Sequence, residues 1–247
     1  MTDRTSTDPI RIVVLSAGLS TPSSTRMLAD QLSRAARLEL ERSGDVVDVH
    51  TVELRELAHD ITDALLTRFT NERLGPVVES IRAADAVIAV TPIFNVGPSG
   101  LFKSLFDAVD IEIWKDKPVL LGATAGTPRH SLAIDYAIRP MFGYLKSQIV
   151  PTSVFAASAD FGADTEGQGD EMPLSSRIRR AAAELVTMLR TAGAAAQATA
   201  QAEAADNTQA GAGTGGSSSG TDDQRPGNGL DAEFADFVPM GRLLGRD

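Results

Sequence analysis

Residues 10–16, 86–94 and 118–124 form short, mostly unbroken apolar runs that end in turn residues. An unbroken short apolar run suits a strand covered on both faces, as in a parallel sheet packed between helices. Residues 46–54, VVDVHTVEL, alternate instead and read as a more exposed strand, and residues 149–157, IVPTSVFAA, make a fifth. Helical spacing occupies 25–42, 75–83, 99–109, 131–147 and 174–189. Strand and helix in turn, without internal repeat, predict an α/β fold with a five-stranded parallel sheet in one domain over residues 10–190.

Near Thr191 the pattern stops. From there to residue 229 the chain is rich in Ala, Gly, Ser and Gln and holds no apolar residue larger than alanine. Such a stretch buries too little apolar surface to offset its ordering entropy, so 191–229 is expected to be a disordered linker. Large apolar residues return in 230–247 with Phe234, Phe237, Val238, Met240, Leu243 and Leu244. That return is expected of a short segment that docks on this chain or on a neighbour.

The 247 residues carry a formal charge of −10 and include no cysteine and only three histidines, His50, His59 and His130. An acidic chain is a poor partner for nucleic acid, which binds basic faces. Without cysteine there is no thiolate chemistry, and three scattered imidazoles give no reason to expect a metal. The polar beginning MTDRTSTDP lacks a secretory signal, and no run reaches the roughly 20 apolar residues of a membrane span, so a cytoplasmic protein is expected.

In parallel α/β sheets, ligands sit beyond the carboxyl ends of the strands. After the first strand the chain reads SAGLSTPSSTR, with Ser16, Ser20, Thr21, Ser23, Ser24 and Thr25 leading into a helix. A helix N-terminus offers free N–H groups and a positive dipole end, and hydroxyls add donors without bulk, which suits a phosphate. Capping alone accounts for Ser23 or Ser24. The stretch has neither G-x-G-x-x-G nor G-K-[ST], and no G-x-S-x-G elbow occurs, so a monophosphate fits better than a dinucleotide or nucleoside triphosphate. After the third strand, Pro92, Ile93, Phe94 and Asn95 combine a fixed turn, a flat face and a polar edge, which suits a planar heterocycle, although a loop that merely buries Phe94 reads the same way. In the loop from Gly122, the small residues Ala125, Gly126 and Thr127 present backbone amides, followed by Arg129 and His130, and the lone His130 reads as a structural residue or a cap of the turn before it reads as a ligand.

Taken in order, these loops resemble the NAD(P)H-dependent FMN reductase family, whose fold is flavodoxin-like. The family's first loop, G-S-x-R-x-x-S-x-N-R, is similar to AGLSTPSSTR, with Ser23 and Arg26 matching, Ser20 where arginine is common and Thr25 where asparagine is common. Its P-x-[YF]-N is matched at Pro92 to Asn95 and its glycine turn at Ala125 and Gly126. The second and third loops resemble the branch that supplies reduced flavin to sulfonate monooxygenases, with Pro98 where a large residue is common. The tail from Leu230 is similar to the end of a subgroup paired with luciferase-like monooxygenases.

The resemblance implies a three-layer sandwich that binds FMN and takes NADPH or NADH as co-substrate, as a homodimer or tetramer. Hydride would pass directly between cofactors, with no catalytic side chain. The implied cofactor-binding residues are Ser16, Ser20, Ser23, Ser24, Thr25, Pro92, Ile93, Phe94, Asn95, Ala125, Gly126, Thr127 and His130, with no metal ligand. A quinone, azo-dye or chromate reductase on the same fold, a flavodoxin-like single-electron carrier, and an interaction module without cofactor are the other readings.

Overall fold

The computed structural model describes residues 8–161 and 172–210. The chain divides into Met1–Thr199 and Ala200–Asp247, and the fold below is that of the first unit. Its central strands are β1 (Ile10–Ser16), β3 (Ala86–Phe94) and β5 (Pro118–Ala125), with β2 (Val47–Glu53) beside β1 at one edge. At the other edge β6 (Gln148–Ile149) and β7 (Val154–Ala157) both pair with β5. All these pairings are parallel. With the divided edge counted as one strand, the order is 2-1-3-4-5, that of a flavodoxin-like doubly wound sheet. The added strand β4 (Gly97–Pro98) only folds back antiparallel on the end of β3.

The sheet separates two apolar layers. On one face Ile12, Val14, Ile88 and Leu120 meet Leu28, Leu32, Ala36 and Leu40 of α1 (Ser24–Arg42) and Ile178, Ala181 and Leu185 of α6 (Leu174–Ala210). The four α1 residues fall at every fourth position and so form one stripe. The other face takes α2 (Ala58–Thr67), α3 (Leu74–Ala83), α4 (Gly100–Ala108) and α5 (Arg139–Tyr144), with Val13, Leu15, Val87 and Leu121 beneath them. Phe102, Phe106, Trp114 and Phe142 pack there with Phe106 ring centroids 4.6–4.9 Å from the others.

Several elements depart from the sequence expectation. Helix α2 was not expected, and it closes on Ile61 and Ala64 in the core. The expected helix over 131–147 is divided into a π-helical turn, Ile134–Ile138, and α5. Pro140 has no N–H to donate to the preceding turn, which disrupts the regular ladder. The fifth strand is divided around Pro151 for the same lack of a donor. Arg139 secures the gap by donating to the carbonyl oxygens of Val150 and Pro151 and to Ser153 Oγ at 3.4, 3.1 and 2.7 Å. Helix α6 runs to Ala210, into the stretch read as linker, because alanine and glutamine are good helix formers whatever their burial. Residues 211–247, with the expected docking segment, lie outside the described residues. No helix among the described residues is long and apolar enough to cross a membrane.

Candidate functional site

The loops after β1, β3 and β5 leave three neighbouring strands at the same sheet end. Register makes the exits nearly level, since Ser16 pairs with Val90 and Pro92 with Thr124. Two bonds tie the exits together. Ala17 N–H donates to Val90 O at 2.9 Å, and the buried hydroxyls of Thr25 and Thr124 meet at 2.8 Å. The second bond fixes the first turn of α1 to the end of β5, and Thr124 was not among the residues singled out from sequence.

The first loop is built around a close approach that only glycine allows. A Cβ on Gly18 would lie 2.0 Å from Ser23 Oγ and 3.1–3.2 Å from the Cβ atoms of Ser23 and Thr25. Ser23 is the N-cap of α1, and its Oγ accepts from Arg26 N–H at 3.2 Å. The Ser20 hydroxyl donates to Pro22 O at 2.9 Å, and the Thr21–Pro22 peptide is cis. Ser16 and Thr25 are buried, while Ser20 and Ser24 are exposed. Among the described residues, no backbone N–H from Gly18 to Thr25 is given to a protein acceptor. A tight turn of unpaired amides at the start of a 19-residue helix is a ready anion cradle.

A charged chain borders this cradle. Glu53, the last residue of β2, pairs in register with Ser16, which brings the exit of β2 beside the first loop. Arg26 donates from Nε to Asp30 at 2.8 Å and from Nη1 to Glu53 Oε1 at 2.6 Å. The bond to Asp30 holds the Arg26 guanidinium above its ordinary value, with burial opposing and Glu53 assisting. Arg55 donates from Nε to Glu53 Oε2 at 2.8 Å and from Nη1 to Thr21 Oγ1 in the loop. Glu53 and Arg55 were missed in the sequence, where the available signal was a lone arginine just past the second strand.

The second loop is a hairpin. Ile93 pairs with Pro98 and Phe94 with Gly97, leaving Asn95 and Val96 as a two-residue turn with φ of 50° and 67°. Such turns ask for left-handed residues, which asparagine supplies and valine resists. Ser99 closes the loop, donating its N–H to Pro92 O at 3.1 Å and capping α4 by accepting from Phe102 N–H at 3.2 Å. The hairpin leaves Phe94 47% and Val96 65% exposed, while Ile93 turns into the core and offers the surface only its backbone. In the third loop Ala125 is half-buried, Gly126 and Thr127 are exposed, and half-buried His130 ends a 3-10 turn begun by Pro128. The structure thus brings all the residues singled out from sequence to one sheet end.

Residues 10–162 match the NADPH-dependent FMN reductase family. The chain is 33% identical to the NADH-dependent FMN reductase SfnF of Pseudomonas fluorescens, over 74% of this chain and 94% of that protein. It is 35% identical to an FMN reductase (NADPH) of Pseudomonas aeruginosa, over 71% and 90%. Among solved structures, an oxidoreductase from Corynebacterium diphtheriae superposes with a TM-score of 0.69 at 39% identity, covering 74% of this chain and 98% of that one.

Proposed function

Because the chain belongs to the NADPH-dependent FMN reductase family, we propose that its three loops hold FMN for reduction by NADH or NADPH, and that the reduced flavin serves a partner monooxygenase. The observation that carries the site assignment is the tight amide turn from Gly18 to Thr25, unpaired among the described residues and at the same sheet end as the exposed Phe94. Gly18 suits the turn to a phosphate group, because it is the missing Cβ that lets the turn close on Ser23 and gather its donors.

When bound, the flavin supplies the two-electron acceptor for hydride from the nicotinamide. The chain's own residues bind and orient. Amides from Gly18 to Thr25, with the hydroxyls of Ser16, Ser23, Ser24 and Thr25, would hold the phosphate, while the Ser20 hydroxyl, already donating to Pro22 O, shapes the turn. Thr25 is fixed by Thr124, so these donors are set before the ligand arrives. Pro92 to Asn95 support the ring through the Phe94 face and the Asn95 edge. The amides of Ala125, Gly126 and Thr127, beside His130, would supply donors to the polar edge of a bound ring and favour negative charge there. No side chain moves a proton or attacks a bond.

Leu19, Phe94, Val96, Leu132 and Tyr136 are all 47–80% exposed along or just after these loops. Exposed apolar residues gathered at one end favour cover by another body, either a second copy in a homodimer or tetramer or the acceptor protein. Anaerobic titration of the protein and FMN with each nicotinamide tests the proposal. Bleaching of the oxidised flavin band is expected, and binding of FMN without reduction by either nicotinamide would refute the enzymatic role of this site.

A further inference from the structure

We propose that Arg55, outside the three loops, supplies the positive charge for the phosphate of the bound flavin. The proposal rests on the reading of the first loop as the phosphate cradle.

Residues 16–25 contain no charged side chain, so the loop itself has only dipoles to offer a dianion. Two guanidiniums stand beside it. Arg26 is already committed, with Nε on Asp30 and Nη1 on Glu53. Its charge is matched by these two carboxylates, so it adds little net field at the loop.

Arg55 differs in place and in the charge set against it: each guanidinium keeps three N–H groups, but Arg26 has a carboxylate of its own in Asp30, whereas Arg55 only shares Glu53. The register of Glu53 with Ser16 puts the turn Leu54–Leu57 at the same sheet end as the loop. Its Nη1 reaches Thr21 Oγ1, two residues before the N-cap Ser23. Glu53 braces the guanidinium from the other side through Nε. A guanidinium has five N–H groups, and these two bonds leave the other three without a partner among the described residues. The side chain is 30% exposed, so it is both held and reachable. Glu53 carries negative charge into the neighbourhood, but it is shared between two guanidiniums and offset by both. A planar, permanently charged fork fixed against a loop of free amides is suited to phosphate oxygens.

The test compares FMN with riboflavin, which has the same ring and no phosphate. Dissociation constants for both are measured by flavin fluorescence on wild type, Arg55→Gln and Thr21→Val, with circular dichroism to confirm folding. For Arg55→Gln the FMN affinity is expected to fall about 10- to 100-fold, as for loss of a charge-assisted bond, while riboflavin changes less than about twofold. The salt dependence of FMN binding should weaken with it. Thr21→Val removes the loop bond but keeps the charge, and it should preserve the wild-type preference for FMN. An Arg55→Gln protein that keeps the full preference for FMN over riboflavin, or loses both ligands equally, would overturn the assignment while leaving the flavin site intact. Wild-type protein that binds neither flavin would overturn both this assignment and the function on which it rests.

Discussion

Replacing Gly18 with alanine tests whether the first loop is shaped by contact with Ser23. The added Cβ would lie 2.0 Å from Ser23 Oγ, so the Ser23 side chain must rotate away and lose its bond to Arg26 N–H. Loss of an N-cap costs about 1 kcal/mol. Rotation does not remove the approaches of 3.1 and 3.2 Å to the Cβ atoms of Ser23 and Thr25. Ser23 and Thr25 are both buried, and Thr25 is tethered to Thr124, so this crowding adds about 1 kcal/mol, at the low end of overpacking. The sum is about 2 kcal/mol, roughly a thirtyfold change in the folded-to-unfolded ratio.

Urea unfolding of four proteins measures the contact directly: wild type, Gly18→Ala, Ser23→Gly and the double variant. Ser23→Gly keeps a tolerable cap residue and alone should cost only a few tenths of a kcal/mol. It also removes both Ser23 atoms that the new Cβ would strike. The alanine should therefore cost less in that background, with a coupling energy of about 1 kcal/mol. Gly18→Ala should also weaken FMN binding by displacing the amides that receive the phosphate. Strictly additive effects on stability, or Gly18→Ala with wild-type stability and FMN affinity, would refute the packing argument.

Val96→Gly should stabilise the protein by about 0.5–1 kcal/mol in urea unfolding, because relief of a left-handed valine, about 1–2 kcal/mol, exceeds the entropic cost of glycine, about 0.5–1 kcal/mol. A loss of stability would mean that the exposed Val96 side chain makes a favourable contact. Phe94→Ala should weaken FMN and riboflavin alike in fluorescence titration, with stability nearly unchanged because the ring is 47% exposed; unchanged affinity would remove Phe94 from the ring site. Lys117 donates to the carbonyls of Arg82 and Ala84 at 3.1 and 2.7 Å, and burial first, then Arg82, lowers it to about 8 against the opposing effect of Asp85. Its unfolded value lies near 10.5, so between about pH 8 and 10.5 the unfolded chain holds more protons and stability should rise with pH, a slope that Lys117→Met flattens. Glu184 is held below its ordinary value: burial opposes this, but bonds from Thr152 and Arg180 prevail. Glu184→Gln should therefore destabilise the protein at neutral pH and less so as pH falls below the unfolded carboxylate range, read from the urea midpoint at each pH.

The parts of this site that were legible in the sequence are those whose cause is local. β1, β3 and β5 are marked by unbroken apolar runs, and α1 by apolar residues at every fourth position behind a hydroxyl cap. The three loops between those elements then follow from chain order in a parallel sheet. What escaped was set by distance in sequence. The bond between Thr25 and Thr124 spans 99 positions, and that between Arg55 and Thr21 spans 34. No periodicity encodes either. Even the local breaks in helix and strand at Pro140 and Pro151 show where regular pairing fails without showing what replaces it; the replacement is Arg139, reaching across from the helix to the interrupted edge. The same reason explains why Arg55 is invisible as a ligand-binding residue until register is known. It lies on an edge strand's exit, in a stretch without glycine, proline or a motif, and gains its place only because Glu53 stands level with Ser16. A loop that lacks charge in its own sequence is thus completed by a neighbouring strand, and residues at the exit of β2 belong in any account of how this family member recognises its cofactor.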